Sequence, residues 1–143
     1  MGIAFNIQNY LTHETIYFRP FTFQSREKIK REHSIQHLSV PKYDWRISRT
    51  NNEGEFEAEY PRQPSPDDWL SVKIKVEEDS LSVFEKESDK ALLSIKKLAT
   101  PISEQIGLWM GHNSEGKFRN LGINKKDHMI NHINSYVIIT QKY

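Results

Sequence analysis

Tyr17 and Arg19 stand two residues apart in the stretch ETIYFRP. On an extended chain they share one face, while Ile16 and Phe18 occupy the other. Arg31, Gln36, His37, Tyr43, Trp45 and Trp69 follow at irregular spacing. Sugar rings offer apolar faces that stack on aromatic side chains, and their hydroxyls pair with guanidinium, amide and imidazole groups. The chemistry this set offers is carbohydrate recognition. Tyr17, Arg19, Arg31, Gln36, His37, Tyr43 and Trp45 are the candidate ligand-binding residues. A plainer alternative is structural: Trp69 at a strand entry and Trp45 in a loop would cover sheet edges.

Other chemistries find less support. Glycosidases work with two carboxylates across the scissile bond. The run EGEFEAEY places Glu53, Glu55, Glu57 and Glu59 at period two. It lacks the Asp and the apolar flanks of a glucanase E-x-D-x-x-E strand and reads as a solvated loop, so no catalytic residue is assigned. His33 and His37 have i,i+4 spacing, but on a strand they would lie ~13 Å apart, too far for one ion. His128 and His132, next to Asp127, have the same spacing without an intervening H-E-x-x-H glutamate. No metal site and no cofactor is expected. The chain has no G-x-S-x-G elbow and no glycine-rich phosphate loop. The basic run REKIKR is flanked and interrupted by Glu27 and Glu32, as in a solvated turn.

Bulk properties narrow the classes further. The 143 residues fit one domain. Twenty basic against nineteen acidic residues leave a net charge of +1, which gives no electrostatic case for nucleic acid or an anionic membrane. Cysteine is absent, so disulfides and thiol nucleophiles are excluded. No run approaches the ~18 apolar residues of a membrane helix. Residues 1–12 have no basic n-region or cleavage site and read as a strand, not a signal peptide. With 36% hydrophobic residues, the core must be economical or the chain incomplete.

The elements that must position these residues are strands. Period-two alternation marks GIAFNIQ (2–8), with Ile3, Phe5 and Ile7 on one face, and ETIYFRP (14–20). HSIQHLSV (33–40) is a third strand, and residues 68–86 form the clearest hairpin, turning at EEDS. KALLSIKKL (90–98), Gln105–Met110, Lys117–Ile123 and YVIIT (136–140) complete the set, with a turn or short helix at 25–32 and another short helix at KKDHMINHI. The segment from Pro41 to Asp68 reads as a long polar loop rich in aromatics. In IGLWMGHNSEGKFRNLGI (106–123) the HNSEG tract supplies a positive-φ turn, Trp109 shares a face with Gly107, and Trp109 or Asn113 could touch ligand. Many short strands with few helical periods predict an all-β antiparallel sandwich.

Three segments carry a family resemblance: YFRPFTFQSREKIKREHSIQHLSVPKYDW (17–45), DDWLSVKIKVEEDSLSVFEKES (67–88) and GLWMGHNSEGKFRNLGI (107–123). In that order they resemble a bacterial branch of the concanavalin A-like lectin/glucanase superfamily, the LamG-like and 3-keto-disaccharide hydrolase-like domains. The resemblance implies a concanavalin A-like jelly roll over residues 1–123, with 124–143 as a C-terminal extension. It implies a carbohydrate partner bound on a concave sheet, and a periplasmic or extracellular setting. Its alternatives are a hydrolase or lyase acting on a glycoside or 3-keto-glycoside, and a non-catalytic fragment that binds another protein. Family members have strands before the equivalent of GIAF. The expectation is therefore an open sheet edge, which either recruits a second copy or is filled by YVIIT.

Overall fold

The computed structural model describes residues 1–19, 22, 25–62, 68–77, 79–85, 87–99, 102–111, 115–125 and 135–142. In chain order its elements are β1 (Gly2–Asn9), β2 (Thr12–Phe18), α1 (Lys28–Glu32), β3 (Ile35–Val40), α2 (Trp45–Asn51), β4 (Glu57–Ala58), β5 (Leu70–Val76), β6 (Ser80–Glu85), β7 (Ala91–Lys96), β8 (Ile106–Trp109), β9 (Lys117–Lys125) and β10 (Ser135–Lys142). The protein is mostly β, with two antiparallel five-stranded sheets. Two compact units are built from interleaved segments. The first takes Met1–Gln63 and Leu98–Glu115, the second Pro64–Lys97 and Gly116–Tyr143. Among the described residues no helix is long and apolar enough to cross a membrane.

In the first unit the sheet runs β4-β3-β2-β1-β8. Asn9 Oδ1 accepts the Leu11 N–H at 2.9 Å, which closes the β1–β2 turn as an Asx-turn. Pairing sets Ile3 opposite Ile16 and Phe5 opposite Glu14, and β3 continues that row with His37 opposite Ile16 and Ile35 opposite Phe18. Ile3, Phe5, Ile16, Phe18 and Ile35 are all buried. The alternation of β1 breaks at Asn6, whose φ of 51° lies in the left-handed region, and the register with β2 shifts between Phe5 and Asn9. A bulge of this kind re-aims one side chain. Here it brings the Asn6 amide to Glu14 Oε1 at 3.1 Å.

Period-two alternation implies a strand buried on one face only. In β2 and β3 both faces are buried: Thr15, Tyr17 and Gln36 are as inaccessible as Ile16 and Ile35. The segment expected to be one long loop also differs. Asp44 caps α2, its Oδ1 accepting the Arg46 and Ile47 N–H groups at 2.9 and 2.8 Å. This is the usual way a short side-chain acceptor satisfies orphan donors at a helix start.

The second sheet runs β7-β6-β5-β10-β9. Leu70, Val72, Ile74, Leu81, Val83, Leu93 and Ile95 are buried on one face, and the alternate positions Ser71, Lys73, Ser82 and Ser94 are more open. On the open face Ser82 and Ser94 hydroxyls meet at 3.0 Å, and the Lys73 ammonium lies 4.9 Å from the Phe84 ring centre. The YVIIT segment falls within β10, which pairs with β5 on one side and β9 on the other. Asn113, Asp127, His128 and His132 lie outside the described residues.

Candidate ligand-binding face of the first sheet

The site begins at Gly2, which is opposite both Tyr17 on β2 and Trp109 on β8. An added Cβ at Gly2 would collide with the Ile16 carbonyl oxygen and stand 2.6 Å from Tyr17 Cα. Glycine therefore lets the two flanking strands close, and the rings of Tyr17 and Trp109 meet across it with centroids 5.1 Å apart, tilted by 33°. Such offset aromatic pairs contribute about 0.5–1.5 kcal/mol beyond their buried area. The indole of Trp109 also folds back over Gly111, where an added Cβ would overlap Cη2 and stand 2.8 Å from Cζ3. The two residues Trp109 and Gly111 in the GLWMG motif thus form a ring and its seat.

A relay of hydrogen bonds runs away from this pair. Arg19 Nη2 donates to the Tyr17 hydroxyl at 2.8 Å, and its guanidinium carbon sits 5.0 Å from the Tyr17 ring centre. The Tyr17 hydroxyl donates to Gln36 Oε1, and Gln36 Nε2 donates to Glu57 Oε2 at 3.3 Å. Glu57 Oε1 accepts the Gly54 N–H at 3.1 Å, and Oε2 lies against His33 Nδ1. The direction is forced. The Glu57 carboxylate accepts the Gln36 amide N–H, so the Gln36 carbonyl faces the Tyr17 hydroxyl, which donates to it while accepting from Arg19.

Arg49, from α2, stands close enough to interact electrostatically with Arg19, Tyr17 and Glu57. Its guanidinium carbon lies 5.3 Å from the ring centre of Trp45, the first residue of α2. Burial pushes the Tyr17 hydroxyl above its ordinary 10.0, against the opposing pull of the Arg19 and Arg49 charges. Burial, then the like charge of Arg19, holds Arg49 below the ordinary arginine range, while Tyr17 and Glu57 act in the other direction.

The seven sequence candidates separate into distinct places. Tyr17, Arg19 and Gln36 share this face and one relay. Tyr17 and Gln36 are buried and hold Arg19 in position, whereas Arg19, Trp109 and Arg49 are part-exposed and Trp45 is 52% exposed. His37 is on the opposite face: its Nε2 meets Glu14 Oε2 at 3.1 Å, and its ring stacks on Phe5 with centroids 6.0 Å apart. Tyr43 exchanges backbone hydrogen bonds with Ser39 and presents its ring to Phe56 at 6.0 Å. Arg31 turns back on its own loop, donating to the Ser25 and Arg26 carbonyls at 2.9 and 3.2 Å, with Glu59 at 3.9 Å.

Three participants escaped the sequence reading. Glu57 lies in the run that reads as a solvated loop, yet its side chain is only 5% exposed, because β4 places it opposite Gln36. Glu53 and Glu55 of the same run are exposed as expected. His33 enters as the partner of Glu57. Arg49 was hidden because α2 was not foreseen; Asp44 before a W-R-I-S-R helix start was the available signal. Each of His33 and His37 faces its own carboxylate, and among the described residues no group of three His, Asp or Glu is placed to hold a metal ion.

No family model, no curated protein and no solved structure matches the chain.

Proposed function

We propose that this protein is a carbohydrate-binding domain of the concanavalin A-like sandwich class, and that its ligand lies along the strip from Trp109 past Arg19 and Arg49 to Trp45. The observation that carries the reading is the buried relay behind Arg19. Tyr17, Gln36 and Glu57 hold a part-exposed guanidinium in one orientation over the Tyr17 ring, and the same ring meets the part-exposed indole of Trp109. Rigid aromatic platforms next to fixed donors are what a sugar ring with its hydroxyls requires. Binding is favoured over two-carboxylate hydrolysis, because the buried carboxylates Glu14 and Glu57 sit on opposite faces of one sheet and each is engaged by a histidine. The order of the three resembling segments supports the same class.

A glycan array followed by titration calorimetry tests the reading. Trp45→Ala removes an exposed ring at little structural cost, and Arg19→Ala removes the fixed donor. Both are expected to weaken binding of the array hit by about tenfold, with circular dichroism unchanged. An array without hits, or a hit whose affinity survives both substitutions, overturns the proposal.

A further inference from the structure

We propose that β9 is a docking edge for an extended acidic segment of another protein, which joins the second sheet as a further strand. The inference concerns the other sheet and is independent of the carbohydrate reading. β9 closes the order β7-β6-β5-β10-β9, so its far side pairs with no strand among the described residues. Such a side presents N–H and C=O groups that a second extended chain can take up. Natural sheets keep open edges short. The edges of the first sheet obey this, with four residues in β8 and two in β4, whereas β9 has nine.

The register defines what this edge offers. Through β10, Ile123 aligns with Ile74 and Phe118 with Leu70. Residues directly opposite one another share a face, so the apolar positions of β9 continue the buried row of β5. On β5, β6 and β7 that row is closed to solvent, but on β9 Leu121 and Ile123 stay 46% and 49% exposed. Arg119 aligns through Thr140 with Ser71, on the other face, where its guanidinium carbon lies 3.9 Å from the Trp69 ring centre. The strand KFRNLGINK carries basic residues and no acidic one, and Lys117 and Arg119 are exposed. That charge selects the occupant. A second copy brought up β9 to β9 would set basic residues against basic ones, and β7, the opposite edge of the same sheet, is bounded by Lys90 and Lys96. Like charges across paired strands destabilise the pairing. A strand alternating apolar and acidic residues would instead extend the Leu121 and Ile123 row on one face and meet Lys117 and Arg119 on the other. The left-handed Asn120, at φ 54°, stands where the β9–β10 register shifts, and such bulges restrain indiscriminate pairing at an edge.

Peptide titrations read by amide hydrogen exchange test this, using peptides as long as β9: one alternating valine and glutamate, one alternating valine and lysine, and one with the valines and glutamates of the first in separate blocks. The alternating acidic peptide is expected to bind with a Kd of ~1 mM or tighter. At saturation it should slow exchange of β9 amides by about tenfold or more. The lysine peptide and the block peptide should each bind at least about tenfold more weakly. Lys117→Glu with Arg119→Glu should reverse the preference between the two alternating peptides while far-ultraviolet circular dichroism stays unchanged. Ile123→Thr, which keeps the charge and shortens the apolar row, gives a second variant should the reversal fold poorly, and is expected to weaken the acidic peptide about fivefold. Equal affinity for the alternating peptides, protection away from β9, or no binding at ~1 mM overturns the proposal. Self-association of the chain alone that protects β9 also overturns it, because a second copy would then be the occupant. None of these outcomes touches the first sheet, so the carbohydrate reading is tested separately.

Discussion

Replacing His37 by Leu should destabilise the protein more than replacing His37 and Glu14 together. Both side chains are almost inaccessible, at 0% and 2%. Glu14 Oε1 is bonded to Asn6 Nδ2 at 3.1 Å, and Oε2 faces His37 Nε2 at 3.1 Å. In His37→Leu the carboxylate stays buried with half of its partners gone, and breaking a buried pair from one side costs about 3–5 kcal/mol. The double variant removes the charge together with its partner and fills both positions with apolar groups of similar volume, an exchange that is often neutral. It still takes one bond from Asn6, at about 1–3 kcal/mol. The double variant should therefore be about 2 kcal/mol more stable than His37→Leu alone. Urea unfolding reads this directly: with a slope of about 2 kcal/mol/M, His37→Leu lowers the midpoint by about 2 M and the double variant by about 1 M. Fluorescence and circular dichroism must give coincident transitions, because the chain forms two compact units. A double variant as unstable as the sum of its single variants would refute the account of the pair, as would a His37→Leu protein within 1 kcal/mol of the parent.

Three further outcomes follow from the described geometry. The Tyr17 hydroxyl is raised by burial, so its contribution to stability is complete below the ordinary 10.0 and is lost as pH climbs through the higher folded value. Phenolate absorbance should therefore show one of the six tyrosines ionising late, and Tyr17→Phe should flatten the fall of stability above pH 10. Asp44→Ala removes both cap bonds of α2 and should cost about 1 kcal/mol in urea unfolding. Gly111→Ala forces the Trp109 indole from its seat. It should alter near-ultraviolet circular dichroism while leaving the far-ultraviolet β signal intact.

Most strands were legible because one face of each is apolar at period two. The alternation in LSVKIKV and SLSVF leads straight to β5 and β6. What the pattern conceals is burial of the second face. Tyr17 and Gln36 look solvent-facing by type, yet the hydrogen bonds that join them to each other and to Arg19 and Glu57 let these polar groups be buried. For the same reason Glu57 could not be told from Glu55 by composition. Its partner is cross-strand, and pairing of β3 with β4 is a non-local fact. The face shared by Tyr17 and Arg19 was readable from their spacing alone, whereas Trp109 joins them only through the register of β1 with β8 across Gly2.

The position of β10 bears on how the second sheet can form. β9 precedes β10 in the chain but touches β5 only through it, so residues 117–125 have no place in the sheet until residues 135–142 arrive. During synthesis the β5–β6–β7 meander can assemble early, since its pairings are local. The outer edge of β5 then stays open until the late strand enters, and open edges are where nascent chains pair wrongly. Closure joins strands some sixty residues apart, a long-range step that favours slow folding. A nick between β9 and β10 would therefore not simply release a tail: it would make completion of the sheet an encounter between two pieces, dependent on their concentration.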